Sequence, residues 1–211
     1  MTRSSTRINY NRMSGWYDWF ASSEKQFMEI GLRMLDVHAG EKVLEVGFGT
    51  GHALVALAHA VGEDGKVFGI DLSDGMFRIA QGNIYRAGRS SRIDLRLGDA
   101  VNLPFASNFF DAIFISFTLE LFNATDVPLV LGECIRVLKK DGRVGVVALA
   151  KKDCRAVKIY EWFHARMPSL MDCRPIYLLE ILDAAGFKPA QTMEETMWGL
   201  PVSMITARKH G

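Results

Sequence analysis

The sequence predicts an α/β protein, a single Rossmann-like, doubly wound, seven-stranded and mostly parallel sheet with helices on both faces. Three observations predict it. The run Val43-Leu-Glu-Val46 is short and apolar and leads into glycines at alternate positions, Gly47, Gly49 and Gly51, after which Leu54, Leu57, Ala58 and Val61 recur at helical spacing. A second apolar run, Val67-Phe-Gly-Ile70, ends on Asp71. Apolar runs then alternate with helical patterns along the chain, as strands joined by crossover helices do. Two parallel strands with a helical crossover bring Asp71 beside the glycine turn at their carboxyl ends, and a ribose fits between them. Glycine lets a ligand approach the backbone, and a carboxylate accepts hydrogen bonds from both ribose hydroxyls.

The elements follow in order. Tyr10, Trp16, Tyr17, Trp19 and Phe20 cluster around Met13 and Asp18, either completing the core or forming a flap that closes out water. Phe27, Ile30 and Met34 mark an amphipathic helix leading to the Gly40 turn. After Asp71, Ser73 caps a helix that contains Gly82 and fades near Gly88. Ile93-Asp-Leu-Arg-Leu97 alternates apolar and charged residues, which predicts an edge or near-edge strand. Asp111 to Ser116 is nearly all apolar, as a strand buried on both faces is. Val127, Val130, Leu131 and Cys134 face the core from a helix capped by Thr125 or Asp126, with Pro128 in its first turn. That helix closes at Lys139-Lys140-Asp141-Gly142, and Val144 to Ala150 make the fifth strand. Leu178, Ile181, Leu182 and Ala185 form the last helix, Gly186 ends it, and two strands meet around Gly199-Leu200-Pro201. The whole reads as one domain over 1–211: an N-terminal helical lid at 1–40, a cofactor-binding core at 41–150, and an acceptor-side segment with the last strands at 151–211.

Composition excludes several function classes. The 25 basic and 24 acidic residues leave a net charge of +1, so no overall field holds a polyanion and nucleic acid is not an expected partner. Cys134, Cys154 and Cys173 are widely separated and odd in number, which fits a reducing cytoplasm better than a disulfide framework. No apolar run reaches the length of a membrane span and no leader pattern opens the sequence, so at most peripheral membrane contact is expected. His38, His52, His59 and His210 have no ligand spacing with one another or with the cysteines, and no metal is expected.

The glycine spacing discriminates between nucleotides. A dinucleotide fingerprint places its third glycine three positions after the second, and here His52 stands there. Glu45 is an acid within a strand that should be buried, a costly placement that a cationic ligand would relieve and a pyrophosphate would worsen. At these residues the chain resembles the class I methyltransferases that use S-adenosylmethionine, whose first motif has the form E-x-G-x-G-x-G. Tyr10 to Asp18 resembles the Y-D-x-x-A-x-x-Y-D opening of the quinone-methylating branch, the ubiquinone/menaquinone methyltransferase (UbiE-like) group, departing from it in having Asn11 for the first acid and Gly15 near the usual alanine. The resemblance implies that Gly47, Phe48, Gly49 and Gly51 line the methionine part of the cofactor, that Glu45 supports its amino group and that Asp71 holds its ribose. Leu72 and Met76 fall on the adenine faces. The resemblance further implies that Asp99 meets the adenine amino group, flanked by Gly98 and Ala100, that Ser116 and Phe117 leave the central strand beside the cofactor, and that Tyr17 covers it.

A sulfonium is a strong methyl donor, so the protein's task is to align a nucleophile with the methyl group and exclude water. A phenol or activated carbon acceptor would benefit from a base, for which Tyr10, Tyr17, Asp18, Glu120 and His164 are candidates. Glu120 is the acid placed to meet the acceptor, or else a solvated loop carboxylate. The irregular stretch from Lys151 to Arg174 holds Trp162, Phe163, His164, Met167 and Met171, and with the N-terminal aromatics it favours a small, largely apolar acceptor such as a quinone-like ring or a lipid head group. Two other classes remain at this point, a non-catalytic S-adenosylmethionine-binding partner subunit and a nicotinamide-dependent oxidoreductase.

Overall fold

A computed structural model describes residues 14–152, 157 and 174–209, with side chains described from residue 23 onward. Helix α1 (Ser14–Leu35) precedes strand β1 (Lys42–Val46), helix α2 (His52–Ala60) and strand β2 (Lys66–Asp71). Helix α3 (Asp74–Arg86), strand β3 (Ile93–Leu97) and strand β4 (Phe110–Ser116) follow. A short 3-10 turn (Leu119–Leu121) leads to helix α4 (Val127–Val137) and strand β5 (Leu138–Leu149), and helix α5 (Leu178–Ala184) comes before strands β6 (Phe187–Met197) and β7 (Leu200–Lys209).

The strands form one seven-stranded sheet in the order β3-β2-β1-β4-β5-β7-β6. β1 to β5 run parallel, and β7 inserts antiparallel between β5 and β6. Chain order reverses between β1 and β4, so a crevice opens there at the carboxyl ends of the strands. β3 lies at one edge, in keeping with its alternating sequence, and β4 lies at the centre with Ile113, Phe114 and Ile115 sealed from solvent.

Two apolar layers cover the sheet. Phe27 and Leu35 of α1, Leu54 and Leu57 of α2, and Ala80 and Ile84 of α3 pack against one face. Val130, Leu131 and Cys134 of α4 and Leu178 and Leu182 of α5 pack against the other. Cys134 is fully buried, which pushes its thiol up to about 12 and makes it core. The C-terminal end of α1 is fastened by Arg143 of β5, whose Nε donates to the Leu35 carbonyl at 2.6 Å, with an Nη on each Glu41 carboxylate oxygen at 2.9 and 2.8 Å.

Two local expectations need correction. The fifth strand begins at Leu138, and α4 has already ended at Val137. Lys139-Lys140-Asp141-Gly142, which reads as a helix stop, lies inside the strand because Leu138 pairs with Phe110 and a bulge then shifts the register to Ala112 opposite Arg143. The Lys139 ammonium meets the Asp111 carboxylate at 2.5 Å across that bulge. Asp126 occupies the cap position of α4 without capping it: its oxygens accept from Asn123 and Thr125 instead.

Candidate active site

The turn after β1 places Gly47, Gly49 and Gly51 at φ +72°, +49° and +81°, a region that a side chain with a Cβ enters at a cost of ~1–2 kcal/mol. The first two glycines serve different ends. The Gly47 amide donates to the Ile70 carbonyl at 2.8 Å, and a Cβ there would come within 2.3 Å of the Thr118 side chain. Gly47 therefore locks the turn against β2 and the end of β4. A Cβ on Gly49 would meet nothing within 4 Å, so its backbone borders open space.

Asp71, at the end of β2, joins the turn to the start of α3. Its Oδ2 accepts the Gly49 amide at 2.9 Å and its Oδ1 accepts the Ser73 amide at 2.8 Å. Burial raises its pKa against these backbone bonds. Between them the two oxygens keep lone-pair capacity that can receive a ribose hydroxyl. Ser73 caps α3 through the Met76 amide.

Glu45 is 3% exposed, and its Oε2 finds no partner among the described residues. Burial first, and the neighbouring Asp71 charge second, hold its carboxyl well above the usual range, while the Leu54 amide pulls the other way. An unpaired buried acid beside a second acid is a site for a cation. These features fit S-adenosylmethionine: an ammonium for Glu45, a ribose for Asp71 and room at Gly49.

The end of β3 packs against the end of β2 beside this turn. The Gly98 amide donates to the Asp71 carbonyl at 2.9 Å, which ties the segment that leads into Asp99 and Ala100 to the end of β2. Asp99 Oδ1 accepts the Val101 amide at 3.1 Å. The following loop is clamped by α4, where Glu133 Oε2 accepts the Leu103 amide at 2.7 Å and Arg136 donates to the carbonyls of Phe105 and Leu103 at 2.8 and 2.9 Å. Leu72 is 61% exposed beside Asp71, whereas Met76 is buried. Phe48 offers its backbone to the turn through a 2.8 Å bond from the Gly51 amide, and its ring turns inward beside Phe77.

Ser116 and Phe117 end β4 against this turn. Phe117 adopts φ +48°, and its ring meets Phe27 of α1 edge-on at 6.4 Å. Thr118 Oγ1 donates to the Ser116 carbonyl at 2.9 Å and reaches the Gly47 carbonyl at 3.4 Å, a link with no signature in the sequence. Glu120 follows and is no solvated loop acid. It is 1% exposed, its Oε1 accepts the Leu149 amide at 3.2 Å, and its Oε2 has no partner among the described residues. Burial pushes its carboxyl up to about 8, with Glu24 of α1 adding like-charge repulsion. Glu24 itself is pushed by burial to about 7. The only sequence sign of Glu24 is that it stands three residues before the core residue Phe27 on the same helix face. Tyr10 and His164, together with the Trp162 to Met171 cluster, lie outside the described residues, as do the side chains of Tyr17 and Asp18.

Residues 43–142, which carry every element of this turn, match the family profile described as a methyltransferase domain. The match covers just under half of the chain. The methyltransferase likeness extends further in curated relatives. Demethylmenaquinone methyltransferase of Bacillus mycoides is 36% identical over 140 residues, 64% of this chain and 58% of that one. Its namesake from Lactobacillus johnsonii is 36% identical over 152 residues, 72% of this chain and 57% of the relative. This chain thus spans under two thirds of the length of either. Among solved structures, an S-adenosylmethionine-dependent methyltransferase from Aquifex aeolicus superposes with a TM-score of 0.67 at 23% identity, covering 86% of this chain and 88% of that one, and shares the fold.

Proposed function

We propose that the protein is an S-adenosylmethionine-dependent methyltransferase acting on a small, largely apolar acceptor, either a quinone-like ring or a lipid head group. The observation that carries this reading is the buried Glu45 carboxylate, whose Oε2 has no partner among the described residues, beside Asp71 at a glycine turn with open space. When bound, the cofactor supplies an electrophilic methyl on a sulfonium. Glu45 holds its ammonium, Asp71 its ribose and the loop from Gly98 to Ala100 its adenine, while Phe117 and Thr118 wall the side facing the acceptor. The chain's work is orientation and exclusion of water. The names of the 36%-identical relatives support the quinone-like acceptor.

Calorimetry with S-adenosylhomocysteine and with NADH tests the cofactor: binding of the first alone is expected, and binding of NADH alone would overturn the reading. Incubation with labelled cofactor and a membrane-lipid extract is expected to give a labelled organic-soluble product. Label confined to protein or RNA would reject the acceptor class.

A further inference from the structure

Two buried carboxylate oxygens lack a partner among the described residues, Glu45 Oε2 and Glu120 Oε2. The first has its cation in the proposed cofactor. The second lies across the sheet switch point, where the 3-10 turn after β4 tucks Glu120 against the Leu149 amide at the end of β5. The charged group facing it from α1 is another acid, Glu24. The remaining described cation tied to this turn, Arg174, gives its backbone amide to the Glu120 carbonyl and aims its guanidinium at the Phe122 carbonyl, 2.9 Å away. The cluster thus joins an acid pair to a buried oxygen that has no donor among the described residues, close in the chain to Phe117 and Phe27, whose rings meet edge-on.

We infer that Glu24 and Glu120 form the acceptor subsite and select a primary or secondary amine carried on an apolar body. The inference rests on the methyltransferase reading and narrows its acceptor class. Electrostatics decides between an amine and a phenol. Methyl transfer to nitrogen moves positive charge from sulfur to nitrogen, and the ionised member of the acid pair favours that charge where it arrives. Formation of a phenolate beside the same pair would be opposed. The step balances: the ammonium proton passes to whichever carboxyl of the pair is ionised, the freed nitrogen lone pair forms the N–C bond, and the S–C bonding electrons stay on sulfur, leaving a thioether. The two carboxyls, pushed by burial to about 7 and about 8, share a proton near neutral pH, so one of them is ready to accept another.

The test offers the full chain labelled cofactor with three acceptors: phosphatidylethanolamine vesicles, n-octylamine, and a demethylated quinol. Label on nitrogen in either amine arm is expected, and the two arms separate a lipid from a free amine. Glu120→Gln should lower kcat/KM for the amine by about 100-fold and flatten its pH profile, and Glu24→Gln should lower it by about 10-fold. Both should leave S-adenosylhomocysteine affinity unchanged, which shows that each variant folds. Label only on the quinol, or amine methylation unaffected by Glu120→Gln, would overturn the inference while the methyltransferase reading stands. Loss of cofactor binding in the unaltered chain would overturn both.

Discussion

The Asp71 carboxylate bridges two backbone segments, accepting the Gly49 amide on Oδ2 and the Ser73 amide on Oδ1. It is therefore part of the scaffold before any ligand arrives, and the same oxygens are the ones proposed to receive a ribose. Asp71→Ala removes both roles. Hydrogen bonds to a charged group contribute about 1.5–3 kcal/mol, so S-adenosylhomocysteine affinity should fall by about 10- to 100-fold. Calorimetry of the variant reads this directly, and an unchanged Kd would remove Asp71 from the site.

Gly47 and Gly49 should part company on alanine substitution. Gly47→Ala combines a left-handed backbone with a clash against Thr118 and should destabilise the fold by about 3 kcal/mol. Thr118→Ala in the same chain should restore part of that. Gly49→Ala carries the backbone cost alone, about 1 kcal/mol, while its methyl enters the ligand space. Denaturant melts and cofactor titration on the pair should rank them in opposite orders.

The glycines and Asp71 were legible in the sequence because each role is set by residues close in the chain or by the parallel crossover. Glu120 was legible as an acid shortly after β4 but not as a buried one, since its burial depends on a 3-10 turn closing onto Leu149 and on α1 arriving from far away in the chain. Glu24 gave no sign beyond helical spacing from Phe27. The start of β5 was misread because Lys139 and Asp141 look like a solvated turn, whereas the Lys139 charge is taken up by Asp111 across a bulge.

Stability should fall as pH rises toward neutrality. Glu24 and Glu120 have folded-state values of about 7 and about 8, both above the ordinary 4.5, so the folded chain binds more protons than the unfolded chain between those limits. Their contribution is complete below the unfolded value and is lost as pH climbs through the folded ones. The thermal midpoint of the ligand-free protein should drop by several degrees between about pH 5 and about pH 8, and Glu120→Gln should flatten the drop. A profile identical to that of the unaltered protein would contradict the burial of that acid.

Arg136 anchors the loop after β3, proposed to hold adenine, through the Leu103 and Phe105 carbonyls while its guanidinium holds the Glu133 carboxyl below the usual range. Arg136→Met keeps the apolar stem and loses both anchors. Cofactor affinity should fall about threefold to tenfold through the displaced Asp99, with little change in acceptor KM. Hydrogen exchange at 100–105 should rise in step, and protection equal to the parent's would count against the clamp.

The fastening of α1 by Arg143 at one end, with Glu24 nearer the other, separates the molecule's two recognition tasks by chain segment. The parts proposed to hold the nucleoside all come from β1 to β3 and their loops, while half of the acid pair rides on a helix that precedes them. A chimera that exchanges α1 for that of a relative should transplant acceptor preference and leave the nucleoside site as it was, so selectivity in this scaffold can evolve by replacing a single outer helix.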